Sequence, residues 1–255
     1  TSYNTAVGAR AGEAVTTGTS NTFLGALCGD TTNDGTGNTG VGESALGANC
    51  GDSNTAVGQV CLESVTGSDN TGIGAGAGNS INSGSNNTVV GHDAGRSGSP
   101  GGNITTGSNI IALGDENVAN AHIQVDWTVA SDERDKTDFS DLDLGLDFVK
   151  ALEPVTYYWD KRSKYGDKTA EDYDLEAQTP DGTHKEDWMD IGFKAQSVQA
   201  LEEAAGYTAS AKKNLTVSTS DDGKQMGLQY SKFVPILVKA IQELSAEIET
   251  LKSGG

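Results

Sequence analysis

The sequence predicts two architectures in series: an all-β repeat solenoid or β-roll over residues 1–114, then a mixed α+β domain ending in a short coiled coil. Three observations carry this reading. A five-residue motif recurs at near-constant spacing in the first half, the aromatic residues crowd into the second, and a heptad pattern closes the chain.

Composition divides the 255 residues near Ala130. The part up to Ala130 holds 25 of the 34 glycines and only three of the 15 aromatics, Tyr3, Phe23 and Trp127. So few large side chains cannot fill a conventional core, and order there must come from repetition and backbone pairing. The remainder has the aromatic content to bury a core of its own. A net charge of −19, spread over both halves, would repel phosphate backbones and argues against nucleic-acid partners. No stretch approaches the ~18 apolar residues of a membrane span, so membrane insertion is not expected. The chain opens with Thr1 inside a repeat and without a methionine, which reads as a fragment of a longer protein.

The motif Asn-Thr-x-(Val/Leu/Ile)-Gly begins at Asn4, Asn21, Asn38, Asn54, Asn70 and Asn87, at intervals of 17, 17, 16, 16 and 17 residues, with a degenerate copy at Asn109. Three positions after each asparagine stand Val7, Leu24, Val41, Val57, Ile73 and Val90, branched apolar residues expected to form one buried line. An aspartate at Val57 would then bury a charge. Seven positions after the asparagine stand Ala11, Cys28, Ala45, Cys61, Ala77 and Ala94, a small-residue column expected to be interior. Gly18, Gly35, Gly51, Gly67 and Gly84 precede the asparagines by three and are expected to turn the chain with positive φ. Stacked coils about 4.8 Å apart would build a rod of roughly 34 Å, with the asparagines able to form an amide ladder. A disordered low-complexity linker is the alternative, and the strictly kept apolar column argues against it.

Two motif matches in this half are discarded. Gly35-Thr-Gly-Asn-Thr-Gly40 fits a dinucleotide fingerprint but lacks the strand-then-helix context. Asp30 to Gly35 resembles a calcium loop, yet Thr32 and Val41 stand where ligands are needed. Cys28, Cys50 and Cys61 have no metal spacing, cannot all pair within one chain, and read as buried free thiols. No metal or cofactor is therefore expected.

Residues 115–130 form a transition in which Ile123 to Val129 alternates like one strand. Ser131-Asp-Glu-Arg-Asp-Lys136 follows. This segment resembles the opening of the intramolecular chaperone, or auto-processing peptidase, domain at the C-terminus of phage endosialidases, tail fibres and neck appendages. Leu152-Glu-Pro-Val-Thr-Tyr-Tyr-Trp159, Ile191-Gly-Phe-Lys-Ala-Gln196 and Leu228 to Leu244 resemble further blocks of that family in the same order. The resemblance implies a domain over 131–232, with Ser131 as nucleophile, Lys136 as its base, Asp132 and Arg134 in support, and the scissile bond between Ala130 and Ser131. One departure stands out: Asp135 occupies a position that is usually aliphatic. With Asp132, Glu133 and Asp138 it surrounds the lysine with negative charge, whereas a general base must be neutral. Burial at an interface between chains would supply the missing desolvation, so assembly is expected to switch the dyad on. The alternative is that Ser131 or Asp132 caps a short helix and the charges are its solvated turn.

Val234, Leu237, Ile241, Leu244, Ile248 and Leu251 are spaced 3, 4, 3, 4 and 3, a heptad seam on a helix over 233–255. Branched residues at a and leucine at d favour two strands, whereas the resemblance implies three. Three is the expectation here, with an amphipathic helix folded onto its own domain as the alternative. The implied protein is the C-terminal part of a homotrimeric phage tail fibre or tailspike, assembled in the host cytoplasm and carried on the virion beside other tail proteins. Its chaperone domain would act as a single-turnover autoproteolytic serine peptidase. A second reading makes the repeats a carbohydrate-binding or depolymerising module for a host-surface glycan, with acidic candidates Asp30, Asp34, Glu43, Asp52 and Glu63. A third, a bacterial trimeric adhesin, lacks a visible anchor.

Overall fold

The structure is a computed structural model that describes residues 2–254 apart from 169, 171, 211, 212 and 214. Its chain groups into two compact units, one of residues 1–119, 160–186 and 219–225 and the other of 120–159, 187–218 and 226–255.

The first unit is a β-solenoid. Seven three-residue strands, β1 Thr5–Val7, β2 Thr22–Leu24, β3 Thr39–Val41, β4 Thr55–Val57, β5 Thr71–Ile73, β6 Thr88–Val90 and β7 Ile111–Leu113, form one parallel sheet in sequence order. Each motif pairs with the next in register, Thr5 with Thr22 and Val7 with Leu24, through to Val90 with Leu113. The repeat spacing thus equals one turn of the solenoid.

The asparagine ladder is present and buried. Asn21, Asn38, Asn54 and Asn70 are fully enclosed. Each Oδ1 accepts the backbone N–H of the next asparagine, as in Asn38 to Asn54 at 2.8 Å, and Asn54 to Asn70 at 3.0 Å. Each Nδ2 donates to a glycine carbonyl of the following coil, Asn38 to Gly51 at 2.8 Å and Asn54 to Gly67 at 2.9 Å. One side chain therefore closes the turn above it and fixes the register of the next strand.

The small column is interior from the second coil on: Cys28, Ala45, Cys61, Ala77 and Ala94 are fully buried, while Ala11 in the first coil is half-buried; Cys50, outside the column, is buried as well. All three cysteines are free, and burial pushes the thiols of Cys28 and Cys61 up to about 11. They are packing residues held in the neutral form.

Two expectations about the coils are overturned. The branched column faces outward: Val7 is 57% exposed, Leu24 48%, Val57 39% and Ile73 46%, with Val41 and Val90 half-buried. Because side chains alternate along a strand, a buried asparagine puts the residue two places later inside and the threonine and valine outside. Phe23, Ala56 and Val89 fill that inner column, with Gly40 and Gly72 leaving room. A Cβ on Gly40 would lie 2.5 Å from Cys28 Sγ, and one on Gly72 2.6 Å from Cys61 Sγ. The second correction concerns Gly18, Gly35, Gly51, Gly67 and Gly84, which do not have positive φ. Glycine is required there by close approach: a Cβ on Gly67 would sit 2.0 Å from the Gly84 carbonyl oxygen. Positive φ falls instead on the glycine after each strand, such as Gly42 at 135° and Gly58 at 138°.

Segments far along the chain complete the last coil of this unit. Asp222 accepts from the Asn103 N–H at 3.0 Å, and Asp221 from the Gly107 N–H at 3.0 Å. Earlier coils use side chains of their successors for the same purpose, as when the Thr36 N–H donates to Asp52 and the Ser85 N–H to Ser108. Glu116 is buried against Lys168.

The second unit is mixed α+β. Its helices are α1 Leu146–Ala151, α2 Ala195–Ala204 and α3 Phe233–Ser253. Strand β8 Val155–Tyr157 pairs antiparallel with β9 Asp190–Gly192, and β10 Val217–Thr219 joins β11 Met226–Leu228. Leu144, Phe148, Val198, Val217, Phe233 and Ile236 form the core. Glu202 is buried on α2, where it accepts from the Thr216 N–H at 2.7 Å and from its hydroxyl. The Glu243 carboxylate takes the Leu146 N–H at the start of α1. The strand expected at 123–129 does not form: that segment is irregular and exposed. Strand formation needs a partner, and it has none among the described residues.

On α3, Phe233, Ile236 and Ala240 face the core. The heptad residues lie on other faces and are all exposed, from Ile248 at 42% to Leu251 at 77%. The seam is therefore not what attaches the helix to its own domain. Among the described residues no helix is long and apolar enough to cross a membrane.

Candidate functional site

The site lies where the exposed segment ending at Ala130 meets the second unit's first turn. Asp132 caps that turn, a single 3-10 turn over Glu133–Asp135: its Oδ1 accepts the Arg134 N–H at 2.9 Å. The Asp135 and Lys136 N–H groups donate to the carbonyls of Asp132 and Glu133, at 3.2 and 3.1 Å. Reversing the chain in this way returns Lys136, itself extended, over Ser131. The capping alternative is realised by Asp132, and the cap is what creates the juxtaposition.

Lys136 Nζ lies 2.6 Å from Ser131 Oγ and 3.3 Å from the Ser131 carbonyl oxygen. Nucleophile–base contacts require this separation. Arg134 is held by Asp132: its Nη2 is 2.6 Å and its Nε 3.0 Å from the Asp132 carboxylate. Those guanidinium bonds, reinforced by the Arg134 backbone N–H, hold the Asp132 carboxyl below the usual carboxylate range and raise Arg134 in turn. Arg134 is therefore paired with Asp132. Ala130, Ser131 and Lys136 are all exposed in the single chain. Exposure leaves the Ala130–Ser131 bond and the lysine side chain accessible to water.

The acidic candidates in the repeats have other work. Arg10 reaches Asp30 at 3.4 Å, Asp52 accepts the Thr36 N–H at 2.8 Å, Gln59 donates to Glu43 at 2.9 Å, and Asn79 to Glu63 at 2.7 Å. Four of the five thus tie one coil to another, and Asp34 is exposed. Among the described residues, no cluster of three or more histidine, cysteine or acidic side chains could hold a metal ion.

Sequence reasoning did not find Asp221 and Asp222 as acceptors for the last coil. They stand in the turn between β10 and β11, outside the repeats, and the only signal was an Asp-Asp-Gly turn.

Residues 131–207 match the family model for the chaperone of endosialidase. The match opens on Ser131, and the β-solenoid precedes it. No curated protein and no solved structure matches the chain.

Proposed function

We propose that this chain is the C-terminal part of a trimeric phage tail fibre or tailspike, whose chaperone domain gathers three copies, templates folding of the solenoid shaft, and then cuts itself off between Ala130 and Ser131. The observation that carries the reading is the 2.6 Å contact of Ser131 Oγ with Lys136 Nζ at the first residue of the family match.

Neutral Lys136 takes the hydroxyl proton as Ser131 Oγ attacks the Ala130 carbonyl carbon, forming a C–O bond and a tetrahedral intermediate. Collapse breaks the Ala130–Ser131 C–N bond, and the lysine ammonium returns its proton to the leaving amine. Water then hydrolyses the ester, freeing an Ala130 carboxylate and the Ser131 hydroxyl. Removing an ammonium from water favours its neutral form. The site is exposed in one chain, so packing of the exposed 120–141 segment against two other copies would supply the switch.

Release fits the energetics of the shaft. The asparagine ladder ties each coil to the next, so unfolding must disrupt neighbouring coils together, and a finished shaft persists without its template. The glycan-binding alternative gains nothing from the acidic residues, since most are engaged between coils.

Intact-mass measurement of the expressed protein tests the proposal. Wild type is expected to give two fragments, the C-terminal one beginning Ser131-Asp-Glu-Arg. Ser131→Ala and Lys136→Ala should each stay whole. Lys136→Arg should also stay whole, because arginine remains protonated and cannot serve as base. Cutting that persists in Ser131→Ala would defeat the assignment.

A further inference from the structure

We infer that the outward column Val7, Leu24, Val41, Val57, Ile73 and Val90 is the surface on which three shafts pack side by side, in register, each occupying the same strip of its neighbours. The inference rests on the trimer reading above and adds to it the surface and the mode of packing.

The strip consists of the outward side chains of β1 to β7: a threonine row from Thr5 to Thr88 that ends in Ile111, and beside it the branched row that ends in Leu113. Neither row contains a charged residue, in a chain of net charge −19. Copies so acidic repel one another wherever their charges meet, and an uncharged strip is the place they can approach. The rows stand about 7 Å apart and repeat every ~4.8 Å over about 30 Å. With side-chain girth that is roughly 300 Å² of uncharged surface, half branched apolar and half threonine, no larger than the largest apolar patch of an ordinary monomer, so it is the lack of charge and the repeat, and not the area, that mark it.

Periodicity decides the occupant. A surface that repeats every coil can be matched along its whole length only by one with the same repeat, and another copy of this chain has it. Parallel threefold packing places identical residues at the same height. Each solenoid already has a closed core, with Phe23, Ala56 and Val89 buried behind the strip. The copies therefore meet as finished coils laid face to face and do not exchange strands. Roughly 300 Å² falls below the ~800 Å² per partner of a stable interface, so the strip forms its contact among copies already gathered elsewhere. The exposed seam on α3 offers a second unpartnered apolar surface for that gathering.

Disulfide trapping in the full-length protein tests this, with sedimentation on the same samples. Val57→Cys, and Thr55→Cys one row over, should give covalent dimers under mild oxidation. Asp34→Cys, an exposed position off the strip, should not, nor should wild type, whose cysteines are buried. Maleimide should label Val57→Cys at least tenfold more slowly than Asp34→Cys. A sedimenting trimer in which neither strip variant cross-links and Val57→Cys labels as fast as Asp34→Cys overturns the packing and leaves the trimer standing. A wild-type protein that sediments as a monomer overturns both.

Discussion

The shaft and the C-terminal unit solve the same problem in opposite ways. In the shaft, each coil's polar backbone is closed by a buried asparagine, and its interior is filled from the same chain by Phe23, Leu46, Leu62, Ile81, Val89 and Ile104 packed among alanines and cysteines. The C-terminal unit has a core around Phe148 and Phe233 but leaves Ile123, Val125, Trp127, Val129 and Phe139, and the whole α3 seam, in solvent. The difference bears on where partners would act. Apolar surface exposed to this extent marks interaction sites, and under the proposed function the C-terminal unit is the part that the other copies complete, while the shaft meets them along one strip.

The sharpest way to break this contrast is to charge the two faces of one strand. Ala56→Asp puts a carboxylate into a fully closed column and should abolish the folded shaft, at a cost of several kcal/mol. Val57→Asp faces outward and should keep the solenoid's circular dichroism while weakening side-by-side packing. Equal loss of fold in both would return the branched column to the interior.

Next in size is the ladder. Asn54→Ala removes the acceptor of the Asn70 N–H and the donor to the Gly67 carbonyl, two buried groups that should together cost about 2–4 kcal/mol. Thermal unfolding of an uncut variant measures it; a change under 0.5 kcal/mol would mean that water replaces the amide.

The smallest effect expected is at the last coil. Burial alone would raise Asp222, but bonds from Ser220 and from the Lys224 and Asn103 N–H groups outweigh it and hold the carboxyl below its ordinary value. A carboxyl lowered by folding stabilises the folded state above its unfolded value, near pH 4, and that contribution is lost as the pH falls through the lower folded value. The melting temperature of wild type should therefore fall more steeply below about pH 4 than that of Asp222→Asn. Parallel curves would show that the turn does not hold the coil.

Much of the shaft was legible because its columns carry chemistry: the asparagines gave the register, and Cys28 and Cys61 among alanines gave a packed interior. The facing of the valines was misread because the true inner column includes Gly40 and Gly72, which show no hydrophobic signal, while the branched residues look like a core. Strand parity from the buried asparagines contains the right answer. The Ser131–Lys136 pairing was legible through the resemblance, but the turn that Asp132 caps, and the engagement of Arg134 with Asp132, depend on local geometry that residue types alone do not set. The 123–129 strand failed because alternation records which faces would be buried, not whether a partner strand exists in the same chain.

The central claim is that assembly switches on the cut, and one measurement bears on it most directly. Ile241→Asp with Leu244→Asp charges the exposed α3 seam without touching Phe233, Ile236 or Ala240, which hold the helix to its core. Cleavage of this variant is followed by intact mass alongside its sedimentation. The account predicts folded monomers that remain whole while wild-type trimers are cut; monomers cut at the wild-type rate would contradict it.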